Sequence, residues 1–85
     1  MKTITYCNKE YKLPVNNLSI GDDPLFQVIV QNPISGSRCT LPAFAVAVYD
    51  FIMGCELTNT FRKDQRKCLD WFRVNFPRQY MELLD

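Results

Sequence analysis

Apolar positions are concentrated in residues 42–57, which read PAFAVAVYDFIMGCEL. At 100° per residue on a helical wheel, this segment has two apolar faces instead of one. The first face consists of Phe44, Val48, Phe51, Ile52 and Cys55, and the second of Val46, Tyr49, Met53 and Leu57. Because a helix that is apolar on two sides is buried on two sides, the pattern predicts a central helix that other elements must cover.

A stripe of small residues runs between the two faces and consists of Ala43, Ala47 and Gly54, with Asp50 interrupting it. Since an unpaired buried carboxylate is costly, we expect the stripe to meet water at one edge, or Asp50 to accept a hydrogen bond from a tyrosine or arginine. A functional site at a helix–helix junction is the alternative. The segment is shorter than the roughly 20 apolar residues of a membrane span, so no membrane association is predicted.

Two alternating stretches before the central helix predict two β-hairpins. The first joins residues 3–7 and 10–14 through Asn8-Lys9. A loop one residue longer is the alternative, because Lys9 stands where glycine is favoured. It places four apolar side chains on one face, with Tyr6 opposite Tyr11 and Ile4 opposite Leu13.

The second hairpin joins residues 26–31 to a return strand over 37–41. We expect Phe26, Val28 and Val30 to cover the first face of the central helix. Residues 15–24 are predicted to be a connection.

Two further helices follow the central one. Thr60 is the predicted N-cap of a second helix that runs to Asn75. Pro77 ends it and suits the first turn of a third helix, 78–85. The second helix has the apolar arc Phe61, Cys68, Leu69, Phe72 and Phe76 around Gln65, and the third has Tyr80, Met81, Leu83 and Leu84 to bury.

Together these elements predict one α+β domain over residues 1–85. It is a small antiparallel sheet of two β-hairpins packed on a central buried helix plus two C-terminal helices. A chain of 85 residues has no room for a second domain.

Composition points away from metal and from secretion. Cys7, Cys39, Cys55 and Cys68 are far apart, and the chain has no histidine, so we expect free thiols and no metal site. Disulfides are the alternative if the compartment is oxidising. The first residues lack an uninterrupted apolar core, so we expect no signal peptide and a cytoplasmic location.

No catalytic constellation is recognisable. The general base most often used, histidine, is missing, and three glycines leave no phosphate-binding loop. Asp22-Asp23 lies between Gly21 and Pro24, where turn formation explains it. We therefore expect no enzyme activity and no cofactor.

Basic residues on the second helix suggest nucleic acid as one alternative. These residues are Arg62, Lys63, Arg66, Lys67 and Arg73. A stripe of cations suits phosphate contacts, but Asp64 and Asp70 share the helix and the net charge is only +1. A solvated or protein-binding face is the favoured interpretation.

The aromatic residues favour self-association. A domain of this size buries only about 60% of the surface that its unfolded chain exposes. We expect a two-fold homodimer built on the central helix. Its interface is predicted to comprise Tyr49, Met53, Trp71, Phe76 and Tyr80. Trp71 is either covered by the third helix or an exposed anchor for a partner.

The tail LDWFRVNFPRQYMELLD (69–85) and the central LPAFAVAVYDFIMG (41–54) resemble small accessory proteins of marine phages, particularly cyanophages. The resemblance implies a short protein made in the host cytoplasm that binds a host or viral protein. It implies no activity and identifies no site. A non-catalytic protein-interaction module is therefore the predicted function.

Overall fold

The computed structural model describes residues 3–15, 18 and 20–84 of the chain. In chain order the elements are β1 (Thr3–Tyr6), β2 (Lys9–Lys12), β3 (Gln27–Gln31), β4 (Arg38–Pro42), α1 (Ala43–Thr58), α2 (Arg62–Asn75) and α3 (Pro77–Leu83). The predicted α+β class and its two hairpins are confirmed. The hairpins form two separate two-stranded antiparallel sheets, β1–β2 and β3–β4.

In the first hairpin, the predicted register is wrong by two residues. Ile4 pairs with Tyr11, and the turn consists of Cys7 and Asn8 with φ of 52° and 63°. Positive φ at both positions matches the twist of the flanking strands. Because side chains alternate with a period of two, a two-residue shift keeps the predicted face. Ile4, Tyr11 and Leu13 are accordingly buried.

The second hairpin packs on α1 through fewer side chains than predicted. Leu41 is fully buried, and Val28 and Val30 are half-buried. Phe26 was expected on the same face, but it is 64% exposed. It lies just before β3, and its carbonyl accepts the N–H of Ala43 at 2.8 Å. Its backbone therefore contributes to the start of α1 while its side chain stays outside.

α1 is buried on two sides, as the two-face pattern predicts. Phe44 and Val48 of the first face are fully buried, and Tyr49 of the second is 7% exposed. The helix ends at Asn59, which has φ 55°. Leu57 was expected in the second face, but it is 86% exposed because the last turn of α1 reaches into solvent.

The buried arc of α2 is confirmed except at its start. Gln65, Cys68 and Phe72 are buried. The N-cap is Phe61 instead of the predicted Thr60. The Thr60 hydroxyl lies 2.6 Å from the hydroxyl of Thr58, so the two hydroxyls bond to each other.

α3 lies against β4. The Gln79 amide donates to the Thr40 carbonyl at 3.4 Å. Leu83 is buried, whereas Met81, which was expected to be buried, is 67% exposed on the outer side. The helix was expected to reach Asp85, but it ends at Leu83, and Leu84 is its C-cap with φ of -125°. Asp85 itself lies outside the described residues.

Phe44 is the centre of an aromatic cluster that joins the elements. Its ring centroid lies 5.4 Å from that of Tyr11, 6.2 Å from that of Trp71 and 6.1 Å from that of Phe76. The Trp71 indole N–H donates to the Lys12 carbonyl at 2.6 Å, which ties α2 to β2. The cluster therefore connects the first hairpin, α1 and α2 at one point.

This cluster predicts a large difference between two phenylalanines. Phe44→Ala should lower the free energy of unfolding by about 3–5 kcal/mol, as expected for a fully buried phenylalanine. Phe26→Ala should change it by less than about 0.5 kcal/mol, because its side chain is already in water. Urea unfolding followed by circular dichroism measures both. Equal losses would contradict the placement of these two side chains.

Candidate protein-interaction surface

The residues predicted to form a dimer interface pack mainly within the chain. They are Tyr49, Met53, Trp71, Phe76 and Tyr80. Tyr49 and Phe76 are each 7% exposed, and the other three are half-buried. Their apolar surface therefore contributes to the core of the single chain, and a partner would meet only its margins.

Trp71 is neither covered by the third helix nor an exposed anchor, the two alternatives predicted for it. Its ring is half-buried, and its neighbours are Tyr11 of β2, 6.5 Å away between centroids, and Phe76 at 5.8 Å. The first hairpin covers Trp71 and accepts its indole N–H through the Lys12 carbonyl, so the covering element is β2 instead of α3. A side chain held in this way orders the fold and is poorly placed as a free anchor.

Asp50 lies where the small-residue stripe meets water. Its side chain is exposed, as is the neighbouring Gly54, whereas Ala47 is 6% exposed. The expectation that one edge of the stripe is solvated is therefore confirmed. Partial burial against apolar neighbours still raises the pKa of the Asp50 carboxyl above its ordinary value.

The four cysteines differ in burial. Cys55 and Cys68 are buried as expected, Cys39 is half-buried and Cys7 is exposed. Burial, with smaller contributions from Cys55 and Asp64, raises the pKa of the Cys68 thiol to about 12. This thiol is therefore protonated at neutral pH, and a protonated thiol is neither a nucleophile nor a metal ligand. Within residues 3–15, 18 and 20–84, no group of three or more acidic or cysteine side chains is arranged to hold a metal ion.

The predicted basic residues are all exposed on α2, but they do not act as one unit. Arg73 pairs with Asp70 at 3.2 Å, so part of its charge is compensated. Arg62, Lys63 and Arg66 lie in the first turns of α2 and line a shallow groove of about 490 Å³, whose other lining residues are Glu56, Gln65 and Leu69.

Gln65 forms the base of this groove. Its side chain is 9% exposed, and its Nε2 donates to Glu56 Oε2 at 3.0 Å and to the Ile52 carbonyl at 3.4 Å. These bonds hold the first turn of α2 to the last turns of α1. The basic side chains therefore project from a fixed base.

Two exposed apolar residues adjoin groove residues along the chain, at the turn between α1 and α2: Leu57 follows Glu56, and Phe61 precedes Arg62. Leu57 is 86% exposed and Phe61 is 63% exposed. Phe61 also has φ 53°, a left-handed conformation that costs a side-chain-bearing residue about 1–2 kcal/mol. It is neither buried nor a side-chain cap, so neither the core nor the helix start explains its presence.

Sequence reasoning assigned Phe61 and Leu57 to buried faces because both fit a helical period. Both residues lie at helix ends, Leu57 in the last turn of α1 and Phe61 just before α2, and there their side chains are exposed. The Turn surface, defined here as Leu57, Phe61, Arg62, Lys63 and Arg66, is therefore visible only in the folded chain.

Comparison of the chain with protein-family models, with curated proteins and with solved structures gave no match. In the part of the chain that the structure describes, none of the helices is both long enough and apolar enough to span a membrane.

Asp50 provides a test of the solvated stripe. The pKa of the Asp50 carboxyl is higher in the folded state than in the unfolded state, so folding favours the protonated form. At a pH above the pKa of the folded state, the ionised carboxylate therefore destabilises the protein. Asp50→Asn should therefore raise the free energy of unfolding slightly at pH 7. The difference should vanish as the pH falls below the ordinary value of 3.8.

Urea midpoints between pH 3 and pH 8 measure this effect, with Asp70→Asn as the control. That control removes a surface ion pair and should give no gain at pH 7. A large loss of stability in Asp50→Asn would instead show that the carboxylate has a buried partner.

Proposed function

We propose that this chain is a small, non-catalytic protein-interaction module that binds its partner through the Turn surface and also self-associates. Phe61 is the observation that carries the proposal. A bulky aromatic residue is held in an unfavourable backbone conformation with 63% of its surface in solvent. Strain of this kind persists where a function requires the residue.

The surroundings of Phe61 define the partner's chemistry. Exposed aromatic and aliphatic groups supply the apolar anchor that commonly dominates protein interfaces. The nearby groove carries three cations, Arg62, Lys63 and Arg66, against one carboxylate, Glu56. This balance favours a partner segment that carries carboxylates, since complementary charge speeds and orients association. The proposed partner is therefore an acidic protein segment with at least one large apolar side chain.

The resemblance to marine-phage accessory proteins suggests where that partner occurs. A phage-encoded chain of this kind would act in the host cytoplasm on a host or viral protein. The absence of histidine and the presence of only three glycines support a non-catalytic role.

Nucleic acid is the second candidate, because three of the cations line one groove. The Asp70–Arg73 pair and the net charge of +1 weigh against it. Phosphate contacts would also leave the exposed Leu57 and Phe61 without a role.

The proposal predicts that binding and stability respond to Phe61 in opposite directions. Phe61→Asn should not destabilise the protein and should stabilise it by about 1 kcal/mol, because asparagine adopts the left-handed conformation with less strain. The same change should weaken partner binding by about tenfold or more, as loss of an interface anchor does. Binding is measured with peptides selected from a random display library on the immobilised protein.

Two matched controls make this test specific. Val74→Asn changes another exposed apolar side chain of α2, 72% exposed, and should leave binding unchanged. Arg66→Glu should weaken binding more than Arg73→Glu, because Arg73 lies outside the groove. The selected peptides should combine acidic and large apolar residues.

Peptides without acidic residues, or undiminished binding to Phe61→Asn, would contradict the proposal. Tight binding of random-sequence DNA or RNA that falls steeply with salt and is lost in Arg66→Glu would favour nucleic acid.

A further inference from the structure

β3 is an edge strand. Among the described residues it pairs only with β4. Two hydrogen bonds at the ends of the β3–β4 ladder show which residues of β3 bond to β4. Ala43 N–H donates to the Phe26 carbonyl, and Asn32 N–H donates to the Ser37 carbonyl, each at 2.8 Å. Hydrogen-bonded pairs alternate along an antiparallel ladder, so even-numbered residues of β3 bond to β4. The odd-numbered residues therefore direct their N–H and C=O groups to the free edge.

The sequence of this edge is the same in both directions. β3 reads Gln27-Val28-Ile29-Val30-Gln31. If two copies pair in antiparallel fashion about Ile29, then Ile29 lies opposite the partner's Ile29. Gln27 lies opposite the partner's Gln31, and Val28 opposite the partner's Val30. The same register pairs the outward N–H and C=O groups of residues 27, 29 and 31.

The centre of the edge is open and uncharged. Ile29 is 70% exposed, and β3 contains no charged residue and no proline. Natural proteins usually protect edge strands with charges, proline or a covering element. β4 has such protection, since it contains Arg38 and Pro42 and lies against α3.

We infer that β3 pairs with β3 of a second copy of this chain, which joins the two β3–β4 hairpins into a continuous four-stranded sheet. The inference rests on the self-association proposed above and assigns it to the β3 edge instead of the aromatic side chains of the core. Like strands meeting about a two-fold axis form a closed, isologous interface, so the assembly ends at two copies.

The charge distribution permits this pairing. The residues that meet across the axis are glutamine, valine and isoleucine, so no like charges face each other. The antiparallel arrangement also places the Phe26 end of each strand beside the partner's turn that contains Ile34. These side chains are 64% and 95% exposed.

The contact area sets the expected affinity. Specific stable interfaces bury more than about 1,000 Å² in total. Pairing of one five-residue strand with its copy is a small contact beside such interfaces. We therefore expect a weak dimer, with monomer present on dilution.

Disulfide trapping tests the register directly. A hydrogen-bonded antiparallel pair has Cα atoms about 5.5 Å apart, which is within the range that a disulfide spans. Ile29→Cys should therefore crosslink to itself on mild oxidation. Gln27→Cys should not, since its two copies lie about 14 Å apart in this register, four residues along the strand and one strand across. Both variants carry Cys7→Ser, because Cys7 is the exposed native thiol.

Sedimentation velocity from micromolar to submillimolar concentration provides the second readout. Ile29→Lys places like charges on the two-fold axis and should weaken the dimer by about tenfold or more. Thr40→Lys adds the same charge to the residue that pairs with Ile29 in β4, one strand away from the axis, and should dimerise like the wild type. Both positions are exposed, so far-UV circular dichroism should remain unchanged.

The outcomes distinguish self-association in general from dimerisation through β3. A wild-type monomer at every concentration would overturn both self-association and β3 pairing. A wild-type dimer that Ile29→Lys leaves intact, or equal crosslinking at positions 27 and 29, would overturn β3 pairing alone. Selective crosslinking at position 29 together with the loss in Ile29→Lys would establish it.

Discussion

The fold depends on the burial of Phe44. Its side chain is fully buried, and the rings around it belong to Tyr11 of β2, to Trp71 of α2 and to Phe76 at the α2–α3 junction. Its N–H also donates to the Pro24 carbonyl at 2.9 Å, which satisfies one free donor at the start of α1. Parts of the chain that are distant in sequence therefore converge on one residue, and α1 is enclosed without help from a second chain.

This enclosure determines where function can lie. Phe61 of the Turn surface and Ile29 of the β3 edge are 63% and 70% exposed, and neither belongs to the hydrophobic core. Changes at either site can therefore alter association without unfolding the chain. The left-handed conformation of Phe61 opposes stability, and the stable core tolerates that cost.

Periodicity predicted the interiors of the elements but not their ends. Alternation placed Ile4 and Tyr11 on one face even though the register was wrong, because a shift by two residues preserves the face. Phe26, Leu57 and Phe61 were assigned to buried faces, yet each lies at or just beyond the end of an element, where the period no longer describes the chain. The open β3 edge likewise depends on strand pairing, which the residue pattern alone does not specify.

Native-state hydrogen exchange at several protein concentrations tests most directly whether the core is complete within one chain. Amides in the middle of α1, around Val48 and Ile52, should exchange only through global unfolding. Their free energy of opening should equal that of denaturant unfolding and should be the same in dilute and in concentrated samples. Rapid exchange of these amides on dilution would show that α1 needs a second chain to cover it and would contradict the account.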